Sequence, residues 1–251
     1  MTLDDSEAVM IEGAVAPCDI LFVCEHASCH FPDAFGDLGL DEAVRRSHVA
    51  WDPGALTLTR ELAKRFYCTL VAGGVSRLLY DCNRPPEAKD AVPTKSEIFE
   101  IPGNSDLSDA ERRARVTQIY QPFKEAVEQV IEVVHPKAIV TVHSFTPVYH
   151  GKQRAVEIGI LHDRDTRLAD SMMNSMADGP FVTLRNDPYG PEHGVTHSLK
   201  AYALPNKLPN VMLEVRNDLL AEDAKAAEIT DALEAAIAQG MAELRDAGEI
   251  T

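Results

Sequence analysis

Two histidines occupy positions from which they could share a metal ion. His26 follows the apolar run of residues 20–24, and His143 follows the apolar run of residues 138–142. Ligands of α/β sheets bind beyond the carboxyl ends of the strands, so side chains at two strand ends can meet although they are far apart in the chain. Catalytic zinc takes three protein ligands and keeps a position open for water. We therefore expect His26 and His143 to be two ligands of one Zn²⁺ ion.

A carboxylate is expected as the third ligand, and the sequence offers Asp52 or Glu25. Adjacent residues of an extended segment point in opposite directions, which makes joint ligation by Glu25 and His26 awkward and favours Asp52. Asp52 stands before Pro53, where a helical pattern breaks. Its ordinary structural alternative is to cap the next helix, with Pro53 in the first helical position. Glu25 remains the alternative ligand.

Glu214 follows the apolar run of residues 211–213 and is the predicted general base, because a carboxylate beside an activated water accepts its proton in amide hydrolysis. Arg77, Arg84 and Arg216 also lie near strand ends. A planar guanidinium can bind a substrate carboxylate with two hydrogen bonds, and one of the three could polarise the scissile carbonyl. Structural ion pairs between Glu214 and Arg216, and between Asp81 and Arg84, are the alternatives. Further predicted substrate contacts are Ser144, His193 and Asn217.

The elements that must position these side chains alternate between strands and helices, which is typical of a three-layer α/β/α sandwich with a mostly parallel mixed sheet. We predict a single domain over residues 1–251, with residues 1–18 as a loosely ordered N-terminal arm. Predicted strands cover residues 19–24, 68–72, 77–80, 138–142, 156–161, 181–184 and 210–215. Predicted helices cover residues 41–66 with a break at 52–54, 108–134 from a capping box at Ser108 and Glu111, 166–176, and 219–244. Residues 84–104 form a predicted long loop.

Composition narrows the class of protein. The formal net charge is −16 and the isoelectric point about 4.9, which disfavours nucleic acid and anionic membranes as partners. No apolar stretch approaches the roughly 18 residues of a membrane span, and the acidic N-terminus is unlike a signal peptide, so a cytoplasmic protein is expected. Five cysteines without a CxxC pair argue against a disulfide framework. The oligomeric state stays open.

Five short motifs, which follow one another along the chain, together resemble those of a known family. They are Cys24-Glu25-His26-Ala27-Ser28, Ala50-Trp51-Asp52-Pro53-Gly54-Ala55, Ser76-Arg77 with Asp81-Cys82-Asn83-Arg84-Pro85, His143-Ser144-Phe145, and Leu213-Glu214-Val215-Arg216-Asn217-Asp218. Between about Ile20 and Asp218 the chain resembles the N-formylglutamate amidohydrolases. That family is similar to zinc carboxypeptidases and aspartoacylases. The resemblance implies a three-layer hydrolase fold, one zinc ion, and release of formate from N-formyl-L-glutamate in histidine degradation.

The resemblance also implies roles for single residues. Asn83 and Arg84 match an Asn-Arg pair that binds the substrate carboxylate, Arg77 matches an arginine near the scissile carbonyl, and Glu214 matches the general base. The wider group has a His-x-x-Glu ligand pair, whereas Cys29 stands three residues after His26. The carboxylate ligand must therefore come from elsewhere. The start Cys24-Glu25-His26 also differs from the Pro-His-Ser-Gly form of better-known members, which indicates a divergent branch.

The leading hypothesis is a zinc amidohydrolase that acts on a small acidic N-acyl amino acid. One alternative keeps the metal site but hydrolyses another N-acyl amino acid or a small peptide. Another alternative is a non-catalytic binder of acidic metabolites, which would need no general base.

Overall fold

A mixed seven-stranded sheet forms the centre of the protein. The structure is a computed structural model that describes residues 5–251. The strands are β1 (Val9–Glu12), β2 (Ile20–Cys24), β3 (Leu70–Gly73), β4 (Ala138–Phe145), β5 (Ile158–Leu161), β6 (Thr183–Arg185) and β7 (Asn210–Arg216). Their order across the sheet is β1-β3-β2-β4-β7-β5-β6. Strands β3, β2, β4 and β7 are mutually parallel, while β1 against β3 and β5 against β7 are antiparallel.

Helices cover both faces of the sheet. The longer ones are α1 (Ala55–Arg65), α2 (Asp109–Arg115), α3 (Gln121–Val134), α4 (Arg167–Met176) and α5 (Asp223–Asp246). Alternate residues of β2 point into two cores: Phe22 packs with α1, α4 and α5, and Val23 packs with α3. This alternation on a strand buried on both faces explains its continuous apolar sequence. The predicted three-layer, mostly parallel α/β fold is confirmed.

Short elements complete the chain. Single helical turns cover Asp5–Ala8, Glu42–Arg45 and Pro102–Ser105, and 3-10 turns cover Lys89–Ala91, Pro191–His193 and Asn217–Leu220. Wider π turns cover Val116–Tyr120 and Leu199–Ala203. Two ribbons of paired short strands, Lys95–Ser96 with Phe99–Glu100 and Val148–Tyr149 with Lys152–Gln153, lie outside the main sheet. Among the described helices, none combines the length and apolar character of a membrane span.

One predicted strand is wrong. Residues 77–80 form turns, with the Arg77 amide donating to the Ala50 carbonyl and the Leu79 amide donating to the Ser76 carbonyl. Their side chains are mostly buried, and a short buried turn has the same apolar pattern as a buried strand. This turn brings the segment from Arg77 to Asp81 under the site described below.

The predicted helix before the break at residues 52–54 is also wrong beyond its first turn, because only Glu42–Arg45 is helical. The other boundaries agree with the predictions to within a few residues. The Ser108–Glu111 capping box is present, and the predicted helix 108–134 is a continuous succession of α2, a π turn and α3. Within the segment expected to be a loose arm, Val9–Glu12 pairs with β3 at the sheet edge. Residues 1–4 of that expected arm lie outside the described residues.

Candidate metal and catalytic site

Three buried side chains meet beyond the carboxyl ends of the central strands. Asp52 Oδ2 lies 3.2 Å from His26 Nδ1 and 2.9 Å from His143 Nδ1, and the two ring nitrogens are 3.2 Å apart. Candidate ligand atoms of the three residues all lie within 4.8 Å of one another. The structure thus brings together the two histidines and the favoured carboxylate of the sequence prediction.

The backbone around Asp52 leaves its carboxylate free to face the histidines. Helix α1 begins at Ala55, and its N-cap is Gly54 rather than Asp52, with no side-chain cap. Gly54 has φ = +85°, and a Cβ at this position would lie 2.6 Å from Leu220 Cβ, so the bend requires glycine. The Asp52 amide donates to the His26 carbonyl at 2.9 Å, which ties this bend to the end of β2. Asp52 therefore does not cap helix α1.

Each histidine ring has a second carboxylate against its other nitrogen. Asp81 Oδ1 lies 2.6 Å from His26 Nε2, and Glu25 Oε2 lies 3.1 Å from His143 Nε2. Glu25 is thus on the opposite side of the His143 ring from Asp52 and is not a member of the three-residue group. A Cβ on Gly73 would lie 2.1 Å from the Glu25 carbonyl oxygen, so this glycine lets β3 approach the start of the loop that carries Glu25 and His26.

Arg77 links the carboxylates of the cluster. Its Nη1 donates to Asp52 Oδ1 at 3.3 Å and its Nη2 donates to Asp81 Oδ2 at 2.9 Å. Burial alone would raise the pKa of both carboxyl groups, but the neighbouring His26 and Arg77 outweigh burial and hold each pKa well below its ordinary value. Both aspartates are therefore ionised at neutral pH.

The pKa values of the residues around His143 reflect the same charges. Burial disfavours a charged imidazole, but Glu25 and Asp52 raise the pKa of His143 well above its ordinary value. Burial alone would raise the pKa of Glu25. The neighbouring His143 outweighs burial, and the pKa of Glu25 is lowered. In the absence of a metal, His143 therefore carries a proton that binding of a cation must displace.

Glu214 lines the same cavity as the cluster. In the sheet its backbone is in register with His143 on the neighbouring parallel strand. Its Oε2 is buried and accepts no hydrogen bond from the residues that the structure describes. Burial is the main cause that raises the pKa of Glu214 to about 7. The ion pair with Arg216 considered above does not form, because Arg216 pairs with Glu157 and Asp218.

A cavity of about 210 Å³ opens over these residues. The cluster and its neighbours form the floor, and residues from two ribbons and three loops form the walls. The lining residues are His26, His48, Val49, Asp52, Arg77, Asn83, Arg84, Ser96, Glu97, His143, Ser144, Phe145, Thr146, Tyr149, Tyr189, Val195 and Glu214.

The Asn83-Arg84 pair reaches the cavity, but much of its bonding capacity is used by the protein. Asn83 Nδ2 donates to the Val195 carbonyl and its Oδ1 accepts from the Ser198 amide. Arg84 Nε donates to Asp90 Oδ2 at 2.8 Å, and its Nη1 donates to two backbone carbonyls. Its remaining terminal nitrogen, Nη2, is in no hydrogen bond with the described residues. The alternative ion pair of Asp81 with Arg84 does not form, because the Arg84 side chain pairs with Asp90.

The other predicted substrate contacts are placed differently. The Ser144 amide lies 3.3 Å from Asp52 Oδ2 and its hydroxyl donates to the Pro53 carbonyl, so this residue holds the Asp52 bend from the floor of the cavity. The structure does not bring Arg216, Asn217 or His193 to the cavity wall. The His193 ring is more than half exposed and its Nδ1 accepts from the Gly190 amide.

Several cavity residues carry no signal that the sequence prediction used. Glu97 Oε2 lies 2.8 Å from His48 Nε2, and Tyr149 and Tyr189 contribute aromatic rings. Asp81 belongs to one of the five motifs, but the sequence assigns it no role beyond a structural pairing with Arg84, whereas it contacts His26. The one feature of the sequence that could have indicated this contact is the position of Asp81 in the same motif as Asn83 and Arg84. Glu97 lies in an aperiodic loop and offered none.

The donor set fits a divalent metal such as zinc. Two imidazole nitrogens and one carboxylate oxygen are the ligand types of catalytic zinc sites. Metal-bound histidines usually donate their other N–H to a carboxylate, as His26 to Asp81 and His143 to Glu25 would here. The unpartnered Glu214 oxygen beside the cluster leaves an acceptor for a water molecule.

Comparisons with known proteins agree with this fold and indicate a family. The model of the N-formylglutamate amidohydrolase family matches residues 18–221. The crystal structure of the gene product Atu2144 from Agrobacterium tumefaciens is 49% identical, with a TM-score of 0.93 over 98% of this chain and 100% of that one. The N-formylglutamate amidohydrolase from Ralstonia eutropha JMP134 is 17% identical, with a TM-score of 0.60 over 96% and 99% of the two chains, and shares the fold. No curated protein matches the chain.

The fold and the family match thus define an α/β protein of the hydrolase class. With more than three quarters of its length matched by the family model, the chain belongs to the N-formylglutamate amidohydrolase family. The family resemblance inferred from the five motifs is confirmed.

Proposed function

We propose that this protein is a zinc-dependent amidohydrolase that cleaves the amide bond of a small N-acyl amino acid, with N-formyl-L-glutamate as the reference substrate. The observation that carries the proposal is the meeting of His26, Asp52 and His143 next to Glu214, whose buried Oε2 has no hydrogen-bond partner among the described residues. A cavity of about 210 Å³ suits an N-acyl amino acid, since pockets for drug-sized ligands are roughly 300–1,000 Å³.

The three clustered residues would hold the metal, and the chain supplies the rest of the chemistry. Zinc in such a site supplies Lewis-acid polarisation of the scissile carbonyl and activates water. Glu214 accepts the proton of the attacking water and delivers it to the departing nitrogen, which leaves formate and the free amino acid. A pKa raised to about 7 suits a base that must both take and return a proton.

Two arginines take separate roles in this proposal. Arg77 is fixed by two carboxylates and keeps further N–H groups with which it stabilises the charge that develops on the carbonyl oxygen. Arg84 binds the substrate carboxylate through its free Nη2, and Asn83 holds the loop of residues 195–198 beside it. Arg216, Asn217 and His193 have no part in the proposed site, because they lie away from the cavity.

Formate release from N-formyl-L-glutamate tests the proposal. The purified protein is assayed as isolated, after chelation, and after zinc is returned; we expect activity to be lost on chelation and restored by zinc. Glu214→Gln should abolish most turnover while zinc stays bound, and Glu222→Gln on the exposed start of α5 is the matched control. Full activity of Glu214→Gln would remove this residue from the mechanism, and activity untouched by complete removal of metal would remove zinc.

A further inference from the structure

Two of the five free cysteines lie at the amino ends of neighbouring strands, away from the cavity. Cys18 stands two residues before β2, and Cys68 stands two residues before β3. The two strands are parallel and pair Phe22 with Leu70, so their amino ends meet at one end of the sheet. Neither cysteine lines the cavity at the carboxyl ends of the strands.

The two thiols lie against the same short stretch of backbone. The Cys18 thiol donates to the Ile20 carbonyl at 3.2 Å. The Cys68 thiol donates to the Phe66 carbonyl at 3.3 Å. It also lies against the backbone of Asp19 and Ile20. Burial and the nearby Cys18 thiol both raise the pKa of Cys68, which places the two sulfur atoms next to each other.

The segment that leads to Cys18 is held over Cys68 by backbone contacts. The Thr69 hydroxyl donates to the Ala14 carbonyl at 2.7 Å. A Cβ on Gly13 would lie 2.9 Å from the Cys68 carbonyl oxygen, so the two chain segments are in close contact here. These contacts position both cysteines through their backbone and favour a bond between their side chains, because a disulfide needs closely placed backbones.

The pair differs from the other three cysteines in having a thiol neighbour and one accessible member. Cys18 is partly exposed, whereas Cys68 is only 6% exposed. No thiol is among the neighbours that shift the pKa of the buried Cys24 or Cys82. Cys29 lines a separate surface pocket without a second thiol. An oxidant can therefore reach Cys18, and Cys68 is the thiol beside it.

We propose that Cys18 and Cys68 form a reversible disulfide when the protein meets a low-molecular-weight disulfide such as oxidised glutathione. The Cys18 thiolate attacks one glutathione sulfur, the S–S bond of glutathione breaks, and one glutathione leaves as a thiolate. The Cys68 thiolate then attacks the Cys18 sulfur of the mixed disulfide and releases the second glutathione. The two cysteines lose two electrons and two protons, and the two glutathione molecules gain them as thiols.

The disulfide closes a long loop of the chain that contains part of the candidate site. His26 and Asp52 both lie between Cys18 and Cys68 in the sequence. A crosslink across a long loop restricts the unfolded chain more than the folded one and so favours folding. We expect oxidation to raise the melting temperature by about 5–15 °C. Neither metal nor substrate takes part, so this disulfide and the proposed function stand or fall separately.

Thiol mapping tests the proposal. The full chain is reduced, freed of reductant, treated with oxidised glutathione, denatured and alkylated, and its peptides are then identified by mass spectrometry. We expect Cys18 and Cys68 to escape alkylation and to be linked to each other within a chain of monomeric mass. Alkylation of both residues, a glutathione adduct that persists on Cys18, or a link to any other cysteine would overturn the proposal.

Cys18→Ser and Cys29→Ser form a matched pair of variants, because both thiols are partly exposed. Cys29→Ser should keep the link and the rise in melting temperature, and a thiol reductant should reverse both. Cys18→Ser should lose both; it is expected to fold, since serine keeps a donor for the Ile20 carbonyl. An equal rise in the two variants would overturn the assignment to Cys18. A link without any rise would overturn the stabilising role.

Discussion

At the scale of single residues, the site depends on the pairing of each histidine with two carboxylates. His26 lies between Asp52 and Asp81, and His143 lies between Asp52 and Glu25. The shared carboxylate, Asp52, faces the nitrogens that would bind metal, and the outer carboxylates fix the ring orientations. If the cluster holds a metal as proposed, the positions of the outer pair would therefore govern the metal affinity without contact with the metal.

Asp81→Asn should weaken zinc binding by about 10- to 100-fold, because the amide no longer provides a charged acceptor for His26 Nε2. Competition with a chromophoric chelator measures the affinity. Asp90→Asn, which changes the exposed partner of Arg84, is the matched control and should bind zinc as the unchanged protein does. Equal zinc affinities for Asp81→Asn and the control would show that Asp81 does not support the ligand.

Glu214 sets the expected pH dependence. A general base works only when unprotonated, and burial raises the pKa of Glu214 to about 7 in the metal-free protein. A dication nearby favours the carboxylate, so we expect kcat/KM to rise with pH, with a midpoint at or below about 7. Metal occupancy measured at each pH separates this effect from loss of zinc in acid. A flat profile from pH 5 to 8 at full occupancy would contradict the assignment.

At the scale of elements, the long loop of residues 84–104 is fixed at one buried side chain. Asn104 Nδ2 donates to the carbonyls of Leu78 and Pro93, and its Oδ1 accepts from Arg115 Nη1 on α2. This amide joins the turn beneath the site, the loop and the helix. The ribbon that carries Glu97 into the cavity wall depends on the same anchor.

Asn104→Ala should lower the free energy of unfolding by about 2–3 kcal/mol, because two carbonyls lose a donor and the buried Arg115 guanidinium keeps only the Leu79 carbonyl. Urea unfolding followed by circular dichroism measures the change. The neighbouring Ser105→Ala removes one long hydrogen bond of 3.4 Å and should change the stability by less than about 1 kcal/mol. If the two variants were equally stable, Asn104 would not be the anchor of the loop.

At the scale of the whole molecule, the site joins segments that are remote in the chain. His26 follows β2, Asp52 precedes α1, Asp81 follows the turn after β3, and His143 is in β4. A metal bound by three of these segments stabilises only the folded chain, since the ligands are dispersed when it unfolds.

Zinc should therefore raise the melting temperature. At a free zinc concentration one hundred times the Kd, the added stability is about 2.7 kcal/mol, which corresponds to roughly 5–10 °C for a chain of this length. Scanning calorimetry with and without zinc measures the shift. Zinc affinity should also rise with pH, because the raised pKa of His143 means that binding releases a proton. A double variant, His26→Ala with His143→Ala, is the control and should show no shift.

The sequence by itself determined the layered α/β fold, the order of most elements and the residues of the buried cluster of His26, Asp52 and His143. Continuous apolar runs mark strands buried on both faces, and polar residues directly after them mark the ligand edge of the sheet. His26, His143 and Glu214 satisfy that rule, and the break at Pro53 and Gly54 pointed to Asp52. Each of these features depends on residues that are neighbours in the chain, so the sequence pattern is sufficient to predict it.

Tertiary structure alone decided the walls of the cavity and the partners of its charged groups. Residues 77–80 were predicted as a strand, because a buried turn and a buried strand have the same apolar content. Arg216 stood in a motif beside Glu214, yet strand geometry sends it to Glu157 instead of the cavity. Glu97 and Tyr189 reach the wall from loops without periodicity. Their positions depend on packing between distant segments, which no pattern of neighbouring residues encodes.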